Sequence, residues 1–367
     1  MISRFCFFRR LLILAALACQ GFIASPGWSQ PAGADGDDFL YRVVAGDTLI
    51  DLSQRYTDGP HNWPTLQSLN AVADPALLPI GRVLRIPFSL IPEVPSQARV
   101  THVAGKVDLN GKPLQINDQA GENDVVTSGA DGFATLMLAD DSTLTIPAQS
   151  SLSIERLRVF KGTGLTDTIF VMERGSLESE VAPADTGVGR FEVRTPVSIT
   201  GVRGTRLRVH ARENGAQSEV LSGSARLGAG AGQGATLRQG QGAAVDPDGK
   251  LLGVRPLLPA PLLPQSAPDQ SGNALSFPPV PGAHAYLVRV AADPAGARLF
   301  SSRQFSAPTV QYSAPGPGTH YLLVRAIDAD GVAGADAVMS FEGRAVLKTS
   351  DGGAVSTGFG QFVLLSY

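Results

Sequence analysis

Between Arg190 and His210 the chain reads RFEVRTPVSITGVRGTRLRVH, with apolar or small residues on every second position. Phe191, Val193, Thr195, Val197 and Ile199 hold odd positions, followed by Leu207 and Val209. Arg190, Glu192, Arg194, Ser198, Thr200, Arg206 and Arg208 hold even ones. A period of two is that of a strand with one buried face. Pro196 has no amide hydrogen for a ladder, so the strand must lie at an edge or bend there. Gly201 and Gly204 bracket Val202 and Arg203 and supply a tight reversal that a Cβ would resist. Whatever surrounds this stretch must be a sheet.

The rest of the chain agrees. Its 367 residues suffice for two or three domains, and 17% charged with 43% hydrophobic residues suits a folded chain. With 41 glycines, 26 prolines and few long helical patterns, many short strands joined by turns are expected. The formal net charge of −3 argues against a nucleic-acid partner.

Arg4, Arg9 and Arg10 precede a short apolar run, Leu11 to Ala18, which reads as a secretory signal peptide over 1–29 rather than a membrane span. Gly27 and Ser29 suit cleavage before Gln30, and the alternative is a lipoprotein signal with its lipid on Cys19. Both cysteines, Cys6 and Cys19, fall in this leader, so the mature chain has no thiol for a disulfide, a metal or a nucleophile. Removing three arginines and no acid takes the formal charge from −3 to −6. The expected location is the periplasm, at the cell wall, with no transmembrane span after cleavage.

After a tether at 30–39, Tyr41 and Val43 mark a short strand, and Asp47 or Thr48 can cap a helix burying Leu49, Leu52 and Tyr56. Asn62 can cap a second helix carrying Trp63, Leu66 and Leu69, and Leu84 and Ile86 alternate in a closing strand. The GDTL motif, W-P-x-L-x-x-L-N and the final G-x-x-L-x-I-P make residues 40–88 resemble a LysM domain. The resemblance implies a small βααβ fold that binds N-acetylglucosamine-containing glycan, chiefly peptidoglycan. It places the contacts at Gly46, Asp47, Thr48 and Leu49 in one loop and at Leu78, Pro79, Ile80 and Gly81 in another. Here Ile80 stands between the proline and the glycine that the family usually has adjacent.

A proline-punctuated linker, 89–98, leads to strand after strand over 99–255, with an Asn110-Gly111 hairpin signal near its start. D-V-V-T-S, D-S-T-L-T-I, M-E-R-G-S-L and the opening stretch, with Thr195, Pro196, Arg203, Gly204 and Thr205 as signature, make this body resemble a FecR domain. The expected form is a β-roll or solenoid-like stack of short strands, with a sandwich as the alternative. FecR relatives are known as signal transducers with a membrane helix that this chain does not offer. The even-numbered arginines are expected to make a solvated face with cross-strand ion pairs, or else a basic strip for a partner.

A second Pro-Leu linker, 256–272, reads as an extended spacer that holds modules apart. Residues 273–345 follow as strands about ten residues apart and resemble a fibronectin type III β-sandwich, with Leu275, Phe277, Tyr286, Val288, Val290, Tyr321, Leu323 and Val324 as the expected core. The tail, 346–367, is either an extra strand or disordered. The five histidines are scattered, with no HExxH, G-x-S-x-G or P-loop, so no catalytic residue, metal or cofactor is expected. The sequence thus reads as mainly β and as a non-catalytic envelope protein. It would bind peptidoglycan and present its body as a scaffold or docking module for another envelope protein. A FecR-type signalling accessory is the alternative, and a cell-wall hydrolase is less favoured.

Overall fold

The computed structural model describes residues 31–182, 188–202, 204–264, 274–343, 345–347, 349, 355 and 363–365. The expected leader with both cysteines, Arg203 and most of the tail lie outside them. The architecture is mainly β, with a short helical region near the N-terminus followed by a large β-sheet body. Among the described residues no helix is long and apolar enough to cross a membrane.

In the N-terminal unit Asp38–Arg42 pairs antiparallel with Val83–Pro87, placing Phe39 opposite Ile86 and Tyr41 opposite Leu84. Residues read as a tether extend this sheet. Pro31–Asp35 folds back on Asp38–Arg42 through a turn in which Gly36 takes φ +59°, a conformation a side chain resists. Helix α1 (Leu49–Tyr56) buries Leu49, Leu52 and Tyr56, as their spacing requires. Helix α2 (Trp63–Leu69) buries Leu66 but leaves Leu69 46% exposed. Asn62 stands at the N-cap of α2 without capping it, its amide donating to Thr57 and Asp58 instead.

The core of this unit does not close on itself. Phe39, Tyr41, Leu52, Tyr56 and Ile86 share one cluster with Phe160 and Leu165 of the body. Phe88 stacks on Phe160 at 4.2 Å between ring centres, a pairing worth about 1 kcal/mol beyond its buried area. The expected linker also joins the body: Glu93–Pro95 pairs with Arg158, Val159 and Phe160.

The body is two sheets around one apolar core. Hairpins alternate between them along the chain. The outer sheet takes Val125–Ser128, Ser151–Phe160, Val188–Arg194, Ser198–Val202, Ser224–Ala229 and Gly234–Arg238. The inner sheet takes Ala98–Ala104, Phe133–Met137, Thr143–Ile146, Arg206–Arg212, Gly215–Ser222, Gln241–Val245 and Leu251–Pro256. The strand Thr166–Glu180 runs through both: its first half pairs in parallel with Val188–Arg194 and its second half antiparallel with Arg206–Arg212.

The C-terminal module centres on a four-stranded antiparallel sheet in the order Leu299–Phe305, Ala285–Ala291, Gly318–Ile327, Ala337–Gly343. One face, with Tyr286, Val288, Val290, Leu322 and Val324, packs with Leu275 and Val310. The other face covers the inner sheet of the body, and there Tyr321 and Leu323 depart from their expected place, Leu323 packing on Phe133. The modules are therefore in contact rather than held apart. Gly242 of the body marks how closely they meet: a Cβ there would stand 2.7 Å from Val332 and 2.9 Å from Leu257.

Candidate functional site

Two loops meet at one end of the N-terminal unit, between Val43 and Leu49 and between Pro75 and Arg82. Backbone bonds clamp them: Val43 N–H to Arg82 O at 2.9 Å, Gly81 N–H to Val43 O at 2.8 Å, and Leu49 N–H to Pro75 O at 2.9 Å. Gly46 and Gly81 have φ of +90° and +83°, which only glycine adopts without strain. The structure thus brings both expected loops together.

Within them the side chains divide. Asp47 turns inward, its Oδ2 accepting from Tyr41 Oη at 2.7 Å and from the Val44 amide at 2.8 Å, with Arg55 3.8 Å from Oδ1. Burial, reinforced by the Asp47 carboxylate, pushes the Tyr41 hydroxyl well above the ordinary phenol range, so it stays a proton donor. Leu49 is fully buried and offers only its backbone. Thr48 caps α1: its Oγ1 accepts from the Asp51 amide at 3.1 Å and donates to Asp51 Oδ2 at 2.7 Å. Leu78 is half-buried, and Pro79 and Gly81 are exposed. Ile80, the residue that separates the proline from the glycine, is 73% exposed. Sequence reasoning missed its companions: Val44, Ile50 and Leu77 are large apolar side chains on or beside the same loops that also remain exposed. Ile50 was legible in principle, since it falls off the buried face of α1. The arrangement is a pair of loops clamped by backbone bonds, with exposed apolar side chains beside them.

The signature stretch lies elsewhere and is structural. Thr195 to Val197 form a hairpin turn, in which Thr195 Oγ1 accepts from the Ser198 amide at 2.9 Å and meets Ser198 Oγ at 2.8 Å. The turn resets strand parity: Ser198, Thr200 and Val202 point inward, and Ile199, expected inside, is 47% exposed. Gly201 sits within the strand Ser198–Val202 rather than in a reversal. Gly204 and Thr205 carry the chain from the outer to the inner sheet, Thr205 Oγ1 donating to Ser224 O at 2.8 Å. Arg203 lies outside the described residues.

The four even-numbered arginines do not share a surface. Arg190 binds Asp167 and Arg194 binds Glu155 and Glu192 on the outer sheet. Arg206 donates to Ala295 O at 3.0 Å, and Arg208, fully buried, donates to Gly334 O at 2.9 Å and to Asp336 at 3.1 Å. The edge considered as a partner strip is thus partly covered by the chain's own C-terminal module. Glu178, Arg208 and Glu219 form a row across three paired strands. Against it stand Arg289, 2.7 Å from Glu178 and 3.1 Å from Asp336, and Arg325, 2.8 Å from Asp336. Glu219 in turn accepts from the Ala333 amide at 2.9 Å and pairs with His210 at 3.0 Å. Burial opposes ionisation of Glu178 and Asp336, but the surrounding arginines outweigh it, holding Glu178 well below the usual carboxylate range and Asp336 at about 2. Burial, with Arg325 beside it, pulls Arg208 down to about 10.

Residues 41–87 match the family model of the LysM domain. Residues 124–226 match that of the FecR protein. The paired loops described above thus fall within the LysM domain, and the Thr195 turn with the Gly204–Thr205 crossover falls within the FecR region. Two solved structures of "a putative anti-sigma factor" from Parabacteroides distasonis ATCC 8503 are similar at 16% identity, with TM-scores of 0.30 and 0.29. In both, the match covers 36% of this chain and 59% of that one, less than two thirds of its length. No curated protein matches the chain significantly.

Proposed function

We propose that this is a non-catalytic, exported envelope protein that holds N-acetylglucosamine-containing glycan, chiefly peptidoglycan, at the paired LysM loops. One observation carries the reading. The two loops are locked by backbone bonds and turn the side chains of Asp47 and Leu49 inward, while Val44, Ile50, Leu77 and Ile80 stay exposed on or beside the same loops. Acetamido groups need backbone donors and acceptors, and the C–H faces of the sugars need apolar side chains such as these. The contacts then come from the backbone of Gly46, Asp47, Thr48 and Leu49 and from Leu78, Pro79, Ile80 and Gly81. Because the loops are already held, little ordering entropy opposes binding.

The FecR region and the C-terminal module act as one stiff body that the LysM domain tethers to the wall at the periplasmic face. The buried charge cluster and the shared apolar contacts support this scaffold reading. Docking of a second envelope protein, or a FecR-type accessory role in signalling, would have to work around Arg208, which the C-terminal module buries. Zymography on purified sacculi with the mature protein tests the absence of catalysis, and a cleared zone would overturn it.

A further inference from the structure

A cleft of about 530 Å³ opens on the body at the start of the stretch that the FecR model covers. It lies under the hairpin of Val107–Leu109 and Lys112–Pro113, against the loop that runs to Asp124. Its size is in the range that holds a small ligand. Its walls are fixed by the backbone: Leu114 N–H bonds Val107 O at 2.8 Å, Asn117 N–H bonds Val100 O at 2.9 Å, and Asn110 N–H bonds Val125 O at 2.9 Å. Asn110, Asn117 and Asn123 all take φ between +51° and +73°, so the loop is held in a conformation that side chains rarely adopt. Asp124 is spent on this frame, accepting from Asn110 Nδ2 and from the Gly121 amide at 2.7 Å each.

What remains for a ligand is mixed in kind. Exposed Lys112, Gln115 and Gln119 line the cleft, supplying ammonium and amide donors and amide acceptors. Asp118 gives one oxygen to the Gln115 amide at 2.8 Å and keeps the other. Leu109 and Pro113 add apolar wall. One ammonium, Lys112, stands with two carboxylates, Asp118 and the frame-held Asp124, which disfavours a phosphate. Interleaved donors and acceptors beside an apolar wall suit a neutral polyhydroxylated ring. We propose that this cleft is a second saccharide site, separate from the LysM loops. Its strand Val107–Leu109 pairs with Val125–Ser128, which pairs with Ser151–Phe160, the strand on which the LysM unit is seated. Two sites on one rigid frame would engage a polymeric glycan together and raise its retention beyond either alone.

Calorimetric titration of tetra-N-acetylchitotetraose into the full-length mature protein tests this with three substitutions at exposed positions. In the Ile80→Asp protein, binding at this cleft should persist and should weaken about tenfold when Gln115→Ala and Gln119→Ala are added, as loss of two hydrogen bonds implies. Loss of all binding in Ile80→Asp alone, or identical titrations with and without the glutamines, would overturn the second site and leave the LysM reading standing. Binding that survives Ile80→Asp but depends on the glutamines supports the second site whatever happens at the first. Absence of heat in every variant overturns it as well.

Discussion

Asp47 shows how a residue can be recognised in a sequence while the partners of its side chain are not. The GDTL motif marked it as a turn residue and a glycan contact, yet its carboxylate is consumed by Tyr41, Val44 and Arg55. Tyr41 lies six residues earlier, and nothing in the local pattern says that its hydroxyl returns to the loop. Asp47→Ala should leave that hydroxyl and the Val44 amide short of a partner, at a cost of about 1–3 kcal/mol. Hydrogen exchange over residues 41–87 should report the loss as faster opening of the first loop, with the C-terminal module unchanged. Ile80 behaves in the opposite way. The sequence singled it out as an intrusion between proline and glycine, and the structure leaves it 73% exposed, free to meet a ligand without a cost to the core. Ile80→Asp should therefore weaken glycan binding while leaving the far-UV circular dichroism spectrum intact.

Among the elements, the Asn110-Gly111 turn and the buried face of α1 were legible, and the faces of the strands beyond Pro196 were not. Asn110-Gly111 does join a hairpin, with Gly111 at φ +77°, because the dipeptide itself carries the conformation. Pro196 correctly announced a bend, but the reversal of inside and outside beyond it follows from the length of the turn, which alternation alone does not contain. The same limit explains Arg208. Its strand, Arg206–Arg212, was read with one wet face, whereas Leu207 through Ala211 are buried without a break. An element covered on both sides loses its period of two, and an arginine in it resembles any solvated arginine until its partners are known. Gly242 is the element-scale test of that cover. Gly242→Val should drive a side chain into Val332 and Leu257, destabilising the contact by about 1–3 kcal/mol. Limited proteolysis should then release residues 274–343 from the body faster than in the parent protein.

At the scale of the whole molecule, the proline-rich segments suggested separate modules, because an extended spacer and a chain running along a neighbour's surface share one composition. Only the long-range pairs decide between them. Asp336 receives Arg208, Arg289 and Arg325, so Asp336→Ala leaves buried guanidinium groups uncompensated and should cost about 3–5 kcal/mol in chemical denaturation. The pH dependence follows from the same group. Its carboxyl is depressed to about 2 in the folded state, so its contribution is present above the ordinary Asp range near 3.8 and is lost as pH falls toward 2. The melting temperature should drop through that window in the parent protein and less steeply in Asp336→Asn. The central claim is that this body is attached to the wall through the LysM loops, and co-sedimentation with purified peptidoglycan sacculi tests it most directly. The full-length mature protein should pellet with sacculi, and folded Ile80→Asp protein should pellet measurably less. Equal pelleting of the two would contradict the account and place the wall contact elsewhere on the molecule.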